Sequence, residues 1–305
     1  MLSSWTQAGL VLGGAVAAGT PVLFASTGEI LAERSGVINL GLEGCMLMGA
    51  VSAAYMQLCT GNTILAIVAG VIGGAVLGLL HAILVVIGRV GMLASGLCFF
   101  FIGRGLAAFW GHPIVGEQLP GLSPILIPRL SQIPVIGKAF FQQDVLVYFA
   151  VGIAFVTWAV LFHTRAGLLI RAAGENAKAA YAEGVNVAAI RIGSVACGSA
   201  LAGLGGAHIA LSFAHTWLDD LAAGRGWVAI GLVILARWNP LYAVLVAYGF
   251  GGIMSLQLNA QAAGISISPY LLSMLPYLFT IVALLAAQLS SRDSGIPMEL
   301  TKNTG

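Results

Sequence analysis

The decapeptide Ser35-Gly36-Val37-Ile38-Asn39-Leu40-Gly41-Leu42-Glu43-Gly44 sets an amide and a carboxyl four residues apart in an apolar run. On a helical turn Asn39 and Glu43 share a face. Such a pair either lines a polar pathway or ties neighbouring helices by hydrogen bonds, and the residues alone leave both open. Gly36, Gly41 and Gly44 make a continuous helix doubtful and point to a broken or re-entrant element. At membrane depth that is tolerated only where the backbone is buried in protein or lines water. Arg104, in FFFIGRGLAAF, falls about 20 Å along its apolar run at about 1.5 Å per residue. It is expected to snorkel or to pair with an outer carboxylate such as Glu117 or Asp219. His81 and His208 stand singly on apolar helices and read as packed, satisfied side chains.

Asp219, Asp220 and Arg225 lie in HTWLDDLAAGRGW. The acidic pair can contact a basic patch on a docking protein or be merely solvated, and AGRGW breaks the start of an apolar run. No GxxxxGK[ST] phosphate loop, HExxH, GxSxG, Cys/His cluster or Asp-Asp-rich prenyl motif is present, so the sequence offers no visible ATP-hydrolysing or other catalytic site. Cys45, Cys59, Cys98 and Cys197 occur without CxxC or metal-ligand spacing and read as small core hydrophobes.

The elements that must position these residues are set by composition. Of 305 residues 59% are hydrophobic and 8% charged, and the mean hydropathy is +0.98. Too few polar side chains remain to cover a soluble surface, so the chain reads as an all-α, polytopic membrane bundle. A net charge of +2 excludes a nucleic-acid footprint. The 41 glycines suit closely packed membrane helices. A span needs about 20 mostly apolar residues. Nine candidates meet this, within a range of 8 to 10: 6–25, 37–59, 62–87, 91–110, 144–163, 192–213, 221–237, 240–259 and 269–290. Pro21 breaks the first, and the seventh is short and carries Arg225. Met1–Gln7 has no basic n-region or cleavage site, so the first apolar stretch reads as a retained helix.

The transmembrane domain is thus 1–290, followed by a tail, 291–305. The hydrophilic segment 164–191 carries Arg165, Arg171, Lys178 and Arg191, and the positive-inside rule makes it cytoplasmic. Arg34, Arg89, Arg237, Arg292 and Lys302 then fall inside too. The N-terminus comes out external and the C-terminus cytoplasmic. The loop 111–143, with Pro113, Pro120, Pro124, Pro128 and Pro134, is external, either an ordered cap with a short helix or a plain loop. Aligning Gly73-Gly74 with Gly251-Gly252 sets AIVAGVIGGAVLGLL against VLVAYGFGGIMSLQL, spans of opposite orientation, as in an inverted repeat.

Within 171–187, RAAGENAKAAYAEGVNV, Asn176 can cap a short helix over Ala177–Glu183, Gly184 can stop it and Asn186 can cap the next span. A short rigid helix of small residues suits a groove on a cytoplasmic partner.

Four stretches together resemble the permease subunits of ABC importers for nucleosides and simple sugars, the branch related to ribose and branched-chain amino acid permeases. They are EILAERSGVINLGLEGCMLMGA (29–50), RAAGENAKAAYAEGVNV (171–187), ALAGLGGAHIAL (200–211) and AGRGWVAIGLVILARWNPLYAVL (223–245). With LLSMLPYLFTIVALL the likeness covers nearly the whole chain, and it is greatest to the shorter of two non-identical permeases in nucleoside importers. Cys45 and Ala177 depart mildly from the pattern. The resemblance implies a bacterial inner-membrane, multi-pass permease working by alternating access. Gly174, Glu175, Asn176, Ala180 and Gly184 would belong to the coupling helix seated in an ATP-binding subunit. Asn39 and Glu43, with Gln257 and Asn259, would supply hydrogen bonds along the translocation pathway, and Asp219 and Asp220 would face an external substrate-binding protein. The partners implied are ABC ATP-binding subunits, which carry the ATP and Mg²⁺, a second homologous permease and membrane lipid; this chain holds no cofactor, metal or catalytic residue. The rival reading is an ion-coupled secondary transporter with Glu43 as its ion site, which leaves the punctuated cytoplasmic helix unexplained.

Overall fold

The computed structural model describes residues 4–264, 267–290 and 295–302; Arg292 and the rest of the tail at 291–294 and 303–305 lie outside them. Thirteen helices are described: α1 Ser4–Arg34, α2 Leu42–Thr60, α3 Thr63–Val86, α4 Met92–Gly111, α5 Ile136–Phe140, α6 Val145–His163, α7 Arg165–Glu175, α8 Ala177–Ala182, α9 Val187–His208, α10 Arg225–Leu235, α11 Pro240–Ala262, α12 Pro269–Ser290 and α13 Met298–Lys302. Seven are long and apolar enough to cross a membrane, and Arg225–Leu235 and Tyr270–Leu285 are two shorter apolar helices. These nine occupy the places of the nine expected spans, so the chain is a multi-pass helical membrane protein.

The first, second and seventh spans differ from expectation, and the sixth begins at Val187 rather than at 192. α1 does not stop at Pro21 but runs on to Arg34, 31 residues in all. Proline costs the helix only the bond to the carbonyl four residues earlier, that of Ala17, and is tolerated within membrane helices; α9 packs closely on the following turn, with Gly205 against the Pro21 carbonyl. The second span begins at Leu42, because Gly36 ends α1 at φ +91°. Val37 N–H donates to the Ala32 carbonyl and Gly36 N–H to Glu33, the paired bonds of a left-handed helix stop. Residues 35–41 then run back into the bundle without helix, as the glycine pattern predicts. The seventh element is a half-helix of 11 residues, about 16 Å long. The segment before it, 214–224, is irregular and contains three non-glycine residues at positive φ: His215, Asp220 and Ala223.

α1 and α9 form the centre and run antiparallel, with Gly28 against Gly198 and Pro21 against Gly205. Each glycine of the first pair faces the other's carbonyl, an approach a side chain would block. α3 packs on α9 at Gly74–Gly203, as α11 packs on α1 at Gly251–Gly19. The order α3–α9–α1–α11, with every neighbour antiparallel, is the arrangement an inverted repeat produces, and it relates the two segments aligned at Gly73 and Gly251. Because lipid gives no apolar driving force between helices, these backbone approaches and the polar contacts below hold the bundle.

The face bearing the ends of α1 and α3 and the start of α9 is the basic face. There Ala32, Val37, Ala82 and Val195 form a small cluster. At the opposite face, 112–143 is an ordered cap with the short helix α5 on α1 and an antiparallel pair, β1 Ile125–Leu126 with β2 Gln142–Gln143. Of the cysteines only Cys45 is buried; Cys59, Cys98 and Cys197 are exposed on the flanks of α2, α4 and α9, which corrects the reading of all four as core.

Candidate functional site: the meeting of two half-inserted helices

The first turn of α2 and the start of α10 meet inside the bundle at Glu43. One Glu43 carboxyl oxygen accepts from Gly224 N–H at 2.7 Å and the other from Gly226 N–H at 2.5 Å. Both carboxyl oxygens thus accept backbone N–H groups of the segment that starts α10. Gly226 leaves no room for more, since a Cβ there would lie 2.5 Å from the Glu43 Cα. Arg225, also buried, turns its guanidinium to the Leu221 and Ala222 carbonyls and lies 5.3 Å from the centre of the Phe213 ring.

Asn39 lies in the unwound segment and not on a helix with Glu43. Its backbone N–H donates to Glu29 at 2.8 Å, its amide to Ser199 Oγ at 3.0 Å, and its own carbonyl oxygen accepts from Gly41 N–H. Glu33, one turn beyond Glu29, accepts from the Trp238 indole at 2.5 Å, and the Arg34 Nε donates to the Trp238 carbonyl. Glu29 and Glu33 are both buried. Sequence reasoning missed them because the first span was ended at residue 25; their spacing of four in an apolar helix was the available signal. Of the two alternatives for Asn39 and Glu43, the geometry is that of a tie: α1, the 35–41 segment, α2, α9 and α10 are joined through them. His81 is satisfied as expected, between Ser95 Oγ and the Ile38 carbonyl.

Gln257 and Asn259 stand apart from this tie. They lie on α11, where Asn259 donates to the Ser255 carbonyl and Gln257 borders a groove against α12. Arg104 pairs with Asp220, not with Glu117 or Asp219, at 3.1 Å, with both side chains 49% exposed. Asp220 is therefore not a free solvated charge. His208 is not a lone histidine: it contacts Asp144 at 3.2 Å, beside Ser212 Oγ at 2.5 Å. Asp144 also caps α6 by accepting from Leu146 and Val147 N–H.

On the basic face the expected single helix is two. Gly174 and Glu175 end α7, which packs on the bundle, while Asn176 to Gly184 form the projecting piece. Asn176 Oδ1 accepts from Ala179 N–H, and Val185 N–H to Ala180 with Gly184 N–H to Tyr181 closes the helix at Gly184, φ +80°. Asn186 caps α9, as read from the sequence. Tyr181 stands 76% exposed on α8, whereas Ala180 is buried. Gly174 packs on the Arg34 carbonyl, and Arg191 donates to the Ser35 and Ala173 carbonyls and pairs with Glu299. α7 is thus fastened to the place where α1 ends and the unwound segment begins.

Residues 11–284 match the family model described as branched-chain amino acid transport system / permease component. The chain is 37% identical over 281 residues to the nucleoside ABC transporter permease protein of Lactococcus lactis, covering 87% of this chain and 88% of that one. It is 35% identical over 263 residues to a provisionally named glucose ABC transporter permease protein of Haloferax volcanii, covering 85% and 80%. It is 32% identical over 281 residues to the guanosine ABC transporter permease protein of Bacillus subtilis, covering 87% of each. No solved structure gives a match.

Proposed function

The chain belongs to the permease component family of branched-chain amino acid transport systems, and from that premise we propose that it carries nucleosides as one of two permeases in an ATP-driven importer. The permease role follows from the family; the nucleoside is taken from the relatives of Lactococcus lactis and Bacillus subtilis, with simple sugars as the competing substrate class. In this reading ATP-binding subunits sit on the basic, cytoplasmic face, a second permease completes the pathway, and an external binding protein delivers the solute. The chain itself performs no chemistry, and ATP and Mg²⁺ belong to the ATP-binding subunit.

The observation that carries the proposal is α8: a six-residue helix capped at both ends, projecting from the basic face and backed by α7. It is the shape an ATP-binding subunit can grip. ATP shifts the bundle between its two states only through contacts that differ between them, and α8 is the exposed place to make those contacts. From α8 a displacement passes to α7, then through Gly174 and Arg191 to residues 34–36. It continues through Asn39 and Glu43 to the start of α10.

The test is purification of the chain from native membranes in mild detergent, then reconstitution of what copurifies and measurement of uridine, guanosine and glucose uptake. Copurification of an ATP-binding subunit and a second permease, with ATP-dependent nucleoside uptake, is expected. Uptake by this chain alone, collapsed by an uncoupler and indifferent to ATP, would overturn the proposal.

A further inference from the structure

A small space between α2, α4 and the 214–224 segment takes no part in the tie at Glu43 or in the route from α8. Leu47, Arg104, Ala107, Trp217, Asp219 and Asp220 line about 240 Å³. At about 30 Å³ per water this holds about eight waters, or a pentose ring and part of a planar base.

The depth of the site decides what it faces. Arg104 is seven residues from the outer end of α4 at Gly111, about 10 Å below it. Charged side chains at such depth face a water-filled space or protein, because lipid contact is costly. Here both members of the pair are half exposed. One turn below Arg104 on the same side of α4, Phe100 meets Trp227 of α10 edge-on at 5.4 Å, and Trp227 is itself exposed. Trp217, which lines the space, is fully buried with its indole nitrogen packed against Gly111 of α4. Carboxylates and a forked donor therefore line one half-exposed space about 10 Å below the outer end of α4, and the Phe100–Trp227 pair lies one turn deeper on that helix.

We propose that Arg104, Asp219 and Asp220 form a transient binding site for a neutral polyhydroxylated solute carrying a planar ring, a nucleoside in transit. The two carboxylates accept the sugar hydroxyls and Arg104 donates to a ring or sugar oxygen. The base lies against Phe100 and Trp227, where stacking tolerates any base. The site is weak by construction, since the solute competes with an existing ion pair and with water, and a pathway must release what it holds. This deepens the permease reading and rests on it.

The experiment uses the complete transporter in liposomes, with its binding protein saturated by uridine or guanosine. Asp219→Asn and Asp220→Asn are expected to cut uptake roughly tenfold, the effect of losing a charge-assisted hydrogen bond, while ATP hydrolysis stays within about twofold. In the exchanged pair, Arg104→Asp with Asp220→Arg, the ion pair is restored but the solute's acceptors are misplaced, so uptake stays low. Full rescue by the exchange would make the pair structural and overturn the site. Asp219→Cys, with Cys59, Cys98 and Cys197 replaced by Ser, should react with a charged, membrane-impermeant thiol reagent, more slowly when solute is present. Failure to react, or normal uptake by both Asn variants in a transporter whose wild type is active, overturns the site alone. Wild-type liposomes that take up neither nucleoside under ATP overturn the permease reading for nucleosides, and the site with it.

Discussion

Replacing Glu43 by Gln tests whether the carboxylate is a tie or a lining group. The side chain is buried, and its two oxygens hold Gly224 and Gly226 N–H at 2.7 and 2.5 Å. Hydrogen bonds to charged groups contribute about 1.5–3 kcal/mol each, against about 1 kcal/mol for neutral ones. In Glu43→Gln one bond becomes neutral and the other is lost, because the amide NH₂ faces an N–H. The loss is about 3 kcal/mol, which lowers the melting temperature by roughly 5–10 °C at the sensitivity of a large domain. Gly226→Ala attacks the same contact from the other side, since its Cβ would meet the Glu43 backbone. Two disruptions of one contact are not additive, so the double variant should melt close to the worse single one. The assay is thermal unfolding in detergent followed by size-exclusion chromatography, with uptake measured in parallel. A Glu43→Gln protein that melts within a degree of the wild type but has lost uptake would refute the tie and restore the lining role.

Three further outcomes follow from the contacts. Gly184→Pro together with Glu175→Arg should abolish uptake while solute binding by the external protein is unchanged, because φ +80° is closed to proline; normal uptake would sink the assignment of α8. Asn176→Ala, which removes only the cap of α8, should weaken that helix by about 1 kcal/mol and reduce stimulation of ATP hydrolysis without lowering the melting temperature of the bundle. Asp144→Ala strips both the contact to His208 and the cap of α6, for a loss of about 4 kcal/mol; an unchanged melting curve would show that the pair is not formed.

Periodicity and glycine placement made much of this architecture legible, and the failures have physical causes. The caps Asn176, Gly184 and Asn186 were readable because capping is local: one side-chain oxygen or one positive φ decides it. The non-helical 35–41 segment was readable for the same reason, from Gly36. Pro21 misled because a proline inside a packed membrane helix does not end it. Ending the span at residue 25 left Glu29 and Glu33 outside any helix. Partners far apart in sequence, such as Arg104 with Asp220 or His208 with Asp144, depend on how α4, α6, α9 and the 214–224 segment assemble, and no spacing rule reports that. For Asn39 and Glu43 helical spacing was the wrong warrant, since only Glu43 lies in a helix.

The short α10 and the unwound 35–41 segment make sense as one feature seen twice. α1 ends, α9 ends through a π-helical turn at Ile209–Phe213, each is followed by a stretch without helix, and the next helix, α2 or α10, starts inside the bundle. Since α1 and α9 are antiparallel about the Gly28–Gly198 contact, the two starts come from opposite faces and meet. Two helix N-termini brought together place partial positive charge against partial positive charge. Unless acceptors lie between them the arrangement is unfavourable, and the Glu43 carboxyl, in the first turn of α2, accepts from Gly224 and Gly226 N–H at the start of α10. To separate α2 from α10 both bonds to the one Glu43 carboxyl must go together. A pathway open to one side at a time needs definite arrangements of its helices, and this paired contact is one that two such arrangements would differ by.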